Sequence, residues 1–295
     1  MKIGIFGYPF NDNEVEFIYN IIDFIEKHVD KVYIYKPFYD YLINSFDISI
    51  PHTKLFTEHD EVPSCLDFMI SIGGDGTFLE TVAYVRNKGI PILGINRGRL
   101  GFLANVSKVE VERALSLIKE RDYSIEKRVL FMLETKDRTN LHSEFPYALN
   151  EVTIHKKDTA SMIAIKTFVN DEYLNTYWAD GLIISTPTGS TAYSLSVGGP
   201  IVVPQSKNII ISPIAPHNLT VRPLVLPDDV ELTFKVNSRS GSFLVTLDYR
   251  SEVFDNEMEF SIKKADFEVE MIKLPGSSFF RTIRNKLMWG LDKRN

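Results

Sequence analysis

The sequence predicts an α/β domain built on a parallel sheet, then an all-β, sandwich-like domain, with a C-terminal helix returning to the first. Three observations carry this expectation. Up to about residue 122, short apolar runs alternate with amphipathic stretches of helical period. From residue 123 the runs turn β-branched, with turn signals between them and little helical pattern before 275. The length, 295 residues, suits two domains of ordinary size or one large one. The expected division is 1–122 together with 275–295, and 123–274.

Taken in order, Lys2-Ile3-Gly4-Ile5-Phe6 reads as a buried strand, and Ile18, Ile21, Ile22, Ile25 and Val29 share one face of the helix that follows. Residues 32–35 make a second strand, stopped by Pro37. Residues 67–72 make a third, which runs into Gly73-Gly74 and a helix with Phe78, Leu79, Val82 and Val85 on one side. Residues 90–95 are the next strand and 109–118 the next helix. This βα rhythm predicts a Rossmann-like parallel sheet covered on both faces. In the second domain, strands are expected at 129–135, 151–155, 162–169, 182–185, 209–213, 230–236, 243–247 and 267–272. Asn170-Asp171 and Ser240-Gly241 read as hairpin turns. The tail from Phe279 to Leu291 is amphipathic and basic, and is expected to pack on the first domain.

Composition narrows the function classes. Apolar residues at 44% and charged residues at 24% exclude global disorder. With 33 basic against 39 acidic residues the net charge is −6, which argues against a generic basic coat for nucleic acid or anionic lipid. The single cysteine, Cys65, permits no internal disulfide and no cysteine-built zinc site, and the six histidines show no metal-ligand spacing. No apolar run approaches ~18 residues, and Met1 to Phe10 lack the basic and apolar regions of a signal peptide. The expectation is a cytoplasmic protein without a nucleic-acid or membrane partner.

Two segments carry chemistry. Gly73-Gly74-Asp75-Gly76-Thr77 lies between a strand and a helix, at the carboxyl edge of a parallel sheet, where such sheets bind ligands. Its glycines admit a phosphate to the backbone, and the helix start offers unpaired N–H groups. The segment is neither Walker A nor G-x-G-x-x-G. As a bare junction it would use Asp75 as an N-cap. As a site it places a carboxylate in a phosphate cradle, which only a metal or a proton transfer would require. The second segment runs from Asp180-Gly181 through Thr186-Pro187-Thr188-Gly189-Ser190-Thr191-Ala192-Tyr193-Ser194-Leu195-Ser196 to Gly198-Gly199-Pro200. Such a hydroxyl-dense block suits the wall of a nucleotide site, with Tyr193 as a stacking face, or else a loop that caps a short helix. Asn150-Glu151, at the start of a predicted strand, reads by itself as a solvated loop end.

These segments, in this order, resemble the NAD kinase family almost from end to end. Gly73 to Thr77 is similar to its GGDGT signature, and Gly94-Ile95-Asn96 through Gly101-Phe102-Leu103 to the loop that follows. Asn150-Glu151 resembles its NE/ND pair, and 180–200 its long TPTGSTAYS block. Residues 212–217 and 222–227 are similar to its late loops. GGDGT is shared with lipid kinases of the diacylglycerol and sphingosine type, whereas the TPTGSTAYS block is specific.

The resemblance implies ATP-dependent phosphorylation of the adenosine ribose 2′-hydroxyl of NAD, giving NADP. ATP and NAD would be the substrates and a divalent metal ion, Mg2+, would accompany them. It implies Asp75 as proton acceptor, and Asp75, Gly76, Asn150, Glu151, Asp180, Thr191, Ala192, Tyr193, Ser194, Leu195 and Ser196 as NAD-binding residues. Ala215 would reach a bound NAD, from a neighbouring subunit of a homodimer or homotetramer. The protein metal ligands stay unassigned. A carboxylate is a weak base for an alcohol, but it suffices when a loose transition state has already made the hydroxyl acidic. Three positions depart from the family pattern: Glu80 and Trp178 stand where members often carry basic groups, and Asp248-Tyr249-Arg250 replaces an Asp-Gly step. Contacts from positions 80, 178 and 249 are therefore not carried over. Two other readings stay open on the sequence, a GGDGT-type lipid kinase and a non-catalytic dinucleotide sensor. The first leaves the hydroxyl block without a role, and the second leaves Asp75 without one.

Overall fold

Runs of buried apolar residues that alternate with amphipathic helices give the first unit its layers. The computed structural model describes residues 1–10, 15–98, 101–135, 144–158, 161–256 and 258–289, and the chain divides into two units, 1–127 with 269–295, and 128–268. In the first unit β1 (Lys2–Gly7), α1 (Glu16–His28), β2 (Lys31–Tyr35), α2 (Lys36–Phe46), β3 (Thr53–Phe56), β4 (Phe68–Gly73), α3 (Asp75–Val85), β5 (Ile92–Asn96), β6 (Val106–Ser107) and α4 (Val111–Lys119) follow one another. The sheet order is β3-β2-β1-β4-β5, with β6 on β5, and every pairing is parallel. The order reverses between β1 and β4, so the loops leaving these two strands flank the crevice where a doubly wound sheet takes its ligand.

Both faces of the sheet are covered. Ile3 and Ile5 on β1 pack with Ile18, Ile21 and Ile25 of α1 and Leu115 and Ile118 of α4. Phe6 points to the other face, against Tyr35 and Tyr84 with ring centroids 4.7 and 4.9 Å away. A side chain of this size, fully buried, contributes about 1.5–3 kcal/mol. Pro37 follows the end of β2 at Tyr35, as the sequence reading expects. It sits in the first turn of α2, where a missing N–H leaves no bond unmade.

In the second unit, period-2 alternation builds two antiparallel sheets. The strands are β7 (Ser124–Thr135, beginning in the first unit), β8 (Tyr147–Ala148), β9 (Glu151–Lys156), β10 (Ile163–Val169), β11 (Glu172–Ala179), β12 (Gly181–Ser185), β13 (Asn208–Ile214), β14 (Leu224–Pro227), β15 (Leu232–Asn237), β16 (Ser242–Leu247), β17 (Arg250–Asp255) and β18 (Glu259–Lys273); the short helix α5 (Tyr193–Ser196) lies between β12 and β13. One sheet runs β11-β10-β15-β18, with β7 on β18 and β8 on β7. The other runs β14-β13-β12-β9-β16-β17. Side chains from both sheets share one core, centred on Phe234, Phe243, Phe254 and Phe260, so the sandwich expected from the sequence is present.

Asn170-Asp171 joins β10 to β11 as a hairpin, with both residues left-handed at φ 47° and 67°. Ser240-Gly241 does not make a hairpin, because β15 and β16 belong to different sheets. The hairpin after β16 turns instead at Asp248-Tyr249, which joins it to β17. The last residues of β18 return to the first unit, where Met271 pairs in parallel with Ile92 of β5. Helix α6 (Phe279–Leu287) belongs to the same unit and buries Ile283; the tail from 290 lies outside the described residues. Among the described residues no helix is long and apolar enough to cross a membrane.

Candidate functional site

In the first unit, Gly73 ends β4, Gly74 is the N-cap of α3 and Asp75 opens that helix, so the carboxylate stands at the mouth of the crevice. It does not cap its own helix. Its Oδ2 accepts the Phe102 N–H at 2.9 Å, and its Oδ1 accepts those of Leu103 and Ala104 at 3.0 Å each. The loop after β5 thus winds around the side chain, closed by a Gly101 N–H to Ala104 carbonyl bond of 2.9 Å. Only glycine fits at 101, since a Cβ there would lie 1.8 Å from Asp75 Oδ1. A carboxylate offers about four lone-pair sites. Among the described residues Oδ1 has filled both of its own and Oδ2 only one, so these leave one acceptor site of Asp75 open.

That site belongs to a cleft of about 590 Å³ lined by Gly73, Gly74, Asp75, Asn96, Arg97 and Lys286, among others. Asn96 Oδ1 accepts the Gly98 N–H at 2.8 Å. Arg97 reaches back to the segment after β1, donating to the Pro9 carbonyl at 2.9 Å and lying over the Phe10 ring. Lys286, from α6, stands 3.9 Å from Asp75 Oδ2 and 4.6 Å from the centroid of Phe102. Gly76 follows Asp75 in the first turn of α3, with no atom of the described residues within 4 Å of where its Cβ would be. Glu80, one turn further on, accepts a hydrogen bond from the Tyr8 hydroxyl, and burial together with that carboxylate pushes the phenol well above its ordinary range.

In the second unit a second aspartate does the same kind of work. Asp248 sits at the β16–β17 turn with φ 55°, and its carboxylate accepts the N–H groups of Leu149, Asn150 and Glu151 at 2.9, 2.7 and 3.2 Å. Burial raises its pKa, partly offset by these amides and by Arg250. Arg250 donates to the carbonyls of Phe145 and Tyr147, so the hairpin clamps the chain on both sides of the turn into β9. Asn150 and Glu151 are buried by this arrangement and are not solvated loop ends. Burial, and then the Asp248 charge, push the Glu151 carboxyl up to about 8, and among the described residues its Oε2 has no partner while the Tyr193 N–H donates to the group.

The hydroxyl block divides in two. Ser185, Thr186, Ser190 and Ser194 are fully buried and bonded within the protein. The Thr186 hydroxyl donates to the Leu149 carbonyl at 2.6 Å and accepts the Gly189 N–H at 3.1 Å. That of Ser194 lies 3.1 Å from the Ser212 hydroxyl. These bonds tie the block to the Asn150 strand, and Gly189 is required because a Cβ there would lie 2.0 Å from the Asn150 carbonyl oxygen. Thr191, Ala192, Tyr193, Leu195 and Ser196 remain accessible, with Tyr193 and Ser196 exposed. Asp180 pairs with Lys156 at 2.6 Å at the turn between β11 and β12. Ala215 is exposed just past β13, in the left-handed region at φ 44°. Sequence reasoning missed Asp248 and Lys286. The Asp-Tyr-Arg step was the visible signal for the first, and the basic tail for the second.

Comparison with known proteins adds the family. Residues 4–123 match the model of the ATP-NAD kinase N-terminal domain, and residues 149–274 that of the C-terminal domain. Among curated proteins, an NAD kinase of Flavobacterium psychrophilum is 47% identical over 295 residues, covering 100% of both chains. One of Bacteroides fragilis is 46% identical over 294 residues, again covering 100% of each. Among solved structures, yeast NADH kinase complexed with NADH superposes with a TM-score of 0.85 at 23% identity, covering 99% of this chain and 89% of the other. An NAD kinase from Archaeoglobus fulgidus in complex with ATP gives 0.74 at 24%, covering 97% and 99%. At these identities the two structures speak for the fold. With both domain models matched in order and relatives near half identity along the whole chain, this protein belongs to the NAD kinase family.

Proposed function

We propose that Asp75 is the proton acceptor in the reaction of this family, the ATP-dependent phosphorylation of the adenosine ribose 2′-hydroxyl of NAD to NADP. The observation that carries the reading is the open acceptor site on Oδ2 in the cleft, beside a carboxylate otherwise fixed by three amides. Fixing the base beforehand removes reorganisation from the reacting step. Full-length identity to NAD kinases leaves a lipid kinase or a non-catalytic sensor without support.

Asn150, Glu151 and Asp180 are the polar contacts to the dinucleotide, with Tyr193 as a stacking face and Gly76, Thr191, Ala192, Leu195 and Ser196 as close neighbours. Ser194 contributes through its backbone, its hydroxyl being held by Ser212. Exposed Ala215 serves a neighbouring copy in a homodimer or homotetramer, in the cytoplasm. Mg2+ carried on the ATP phosphates would screen their charge from Asp75. Asp75 is the sole carboxylate among the described residues lining the cleft, which fits an ion held chiefly by the substrate.

Asp75→Asn tests the assignment. With saturating NAD, ATP and magnesium, kcat should fall about 10²–10⁴-fold, while the KM for NAD stays near that of the parent protein. Unimpaired turnover in the Asn variant would return Asp75 to a purely structural role as organiser of the 101–104 loop.

A further inference from the structure

We infer that Lys286, on the C-terminal helix, binds the phosphates of the donor nucleotide in the Asp75 cleft. The inference rests on reading that cleft as the place of phosphoryl transfer. An anionic donor brought up to a carboxylate needs a cation nearby, and among the described residues that line the cleft two are cations, Arg97 and Lys286. Arg97 is tied through its Nη1 to the backbone after β1, at the carbonyls of Tyr8 and Pro9. Lys286 is not so tied. At 3.9 Å from Asp75 Oδ2 it is beyond hydrogen-bonding distance, and among the described residues its ammonium makes no hydrogen bond.

Its place is nonetheless defined. Ile283 is buried and Phe279 packs on Phe102, so α6 is anchored on the side facing the loop. The ammonium then rests over the Phe102 ring, on the same residue whose N–H donates to Asp75. The side chain is 29% exposed, so a ligand entering the cleft can reach it. With three donors on a flexible stem, Lys286 can turn from Asp75 toward a phosphate without moving the helix. The ligand class is a nucleoside triphosphate or another linear polyphosphate.

The test uses the full chain with Lys286→Gln and Lys286→Arg. Replacing a charge-assisted contact by a neutral amide should raise the KM for ATP about 10- to 100-fold, leave the KM for NAD nearly unchanged, and be largely rescued by arginine. A second readout needs no turnover. Inorganic tripolyphosphate should raise the melting temperature of the parent protein and of Asp75→Asn, but not that of Lys286→Gln. An unaltered KM for ATP in Lys286→Gln, with tripolyphosphate protection intact, would overturn the inference and leave Asp75 untouched. A fall in kcat alone would also overturn it, by making Lys286 a support for the base. Conversely, full turnover in Asp75→Asn would refute the base, while the tripolyphosphate shift would still judge Lys286.

Discussion

Gly101→Ala moves the proposed base without changing its chemistry. The new Cβ would stand 1.8 Å from Asp75 Oδ1, 2.7 Å from its Cγ and 3.0 Å from the Ala104 carbonyl oxygen, whereas ordinary contacts begin near 3.4 Å. The loop cannot simply recede, because its own Gly101–Ala104 bond of 2.9 Å closes the turn. The carboxylate must therefore retreat by about 1.5 Å to reach normal van der Waals spacing. That retreat breaks the two bonds at 3.0 Å that Oδ1 accepts from Leu103 and Ala104. Hydrogen bonds to a charged group contribute about 1.5–3 kcal/mol each. The cleft is open to water, which restores part of this, so the expected loss is about 2 kcal/mol. At 2–4 °C per kcal/mol this lowers the Tm by roughly 4–8 °C. A displacement of this size costs about 10²-fold or more in rate. Initial rates at saturating substrates and a thermal melt, run side by side, give both numbers. A variant with parental kcat and Tm would refute the description of Asp75 as a base held in one position by the 101–104 loop.

Glu151→Gln fixes the uncharged form at a buried position. Burial raises the wild-type pKa from 4.5 to about 8, so the native state keeps a proton that the unfolded chain has released. The stability from this group is complete below pH 4.5 and is lost as the pH climbs through about 8, at about 1.4 kcal/mol per unit. Melting curves of variant and parent should therefore converge in acid and separate by several degrees at pH 8 with the Gln form higher; parallel curves would show that Glu151 is not held protonated. Light scattering should find an active species at two or four times the chain mass of 33.8 kDa, with specific activity falling on dilution. Full activity in a single chain would show that each copy is complete without Ala215 of another.

The parallel half was legible because its strands are buried on both faces and read as unbroken apolar runs, such as Phe68 to Ile72 before the glycines. Helix α2 was not, since Pro37 is compatible both with stopping a strand and with starting a helix. The Ser240-Gly241 turn has the composition of a hairpin, and composition does not say which sheet the next strand joins. Within the site, the motif residues could be listed from the sequence, but their division of labour could not. Ser185, Thr186, Ser190 and Ser194 resemble ligand-facing hydroxyls by type, and only the fold shows them fully buried and bonded internally. Asp248 and Lys286 lie about 100 and 200 residues from the groups they meet, beyond any local pattern.

The discontinuity of the first unit has a bearing on how the protein is made. Residues 1–127 leave the ribosome long before 269–295, the segment that completes the same unit. At roughly 5–20 residues per second the interval is on the order of ten seconds. Throughout it, the side of β5 that Met271 will later join stays open at Ile92, an apolar strand edge of the kind that invites mispairing. The second unit, continuous in sequence, is synthesised entirely within that interval, so it is free to fold first and to hand β18 to the waiting sheet. Lys286 emerges more than 200 residues after Asp75, and a nascent chain therefore carries Asp75 before it carries the cation beside it.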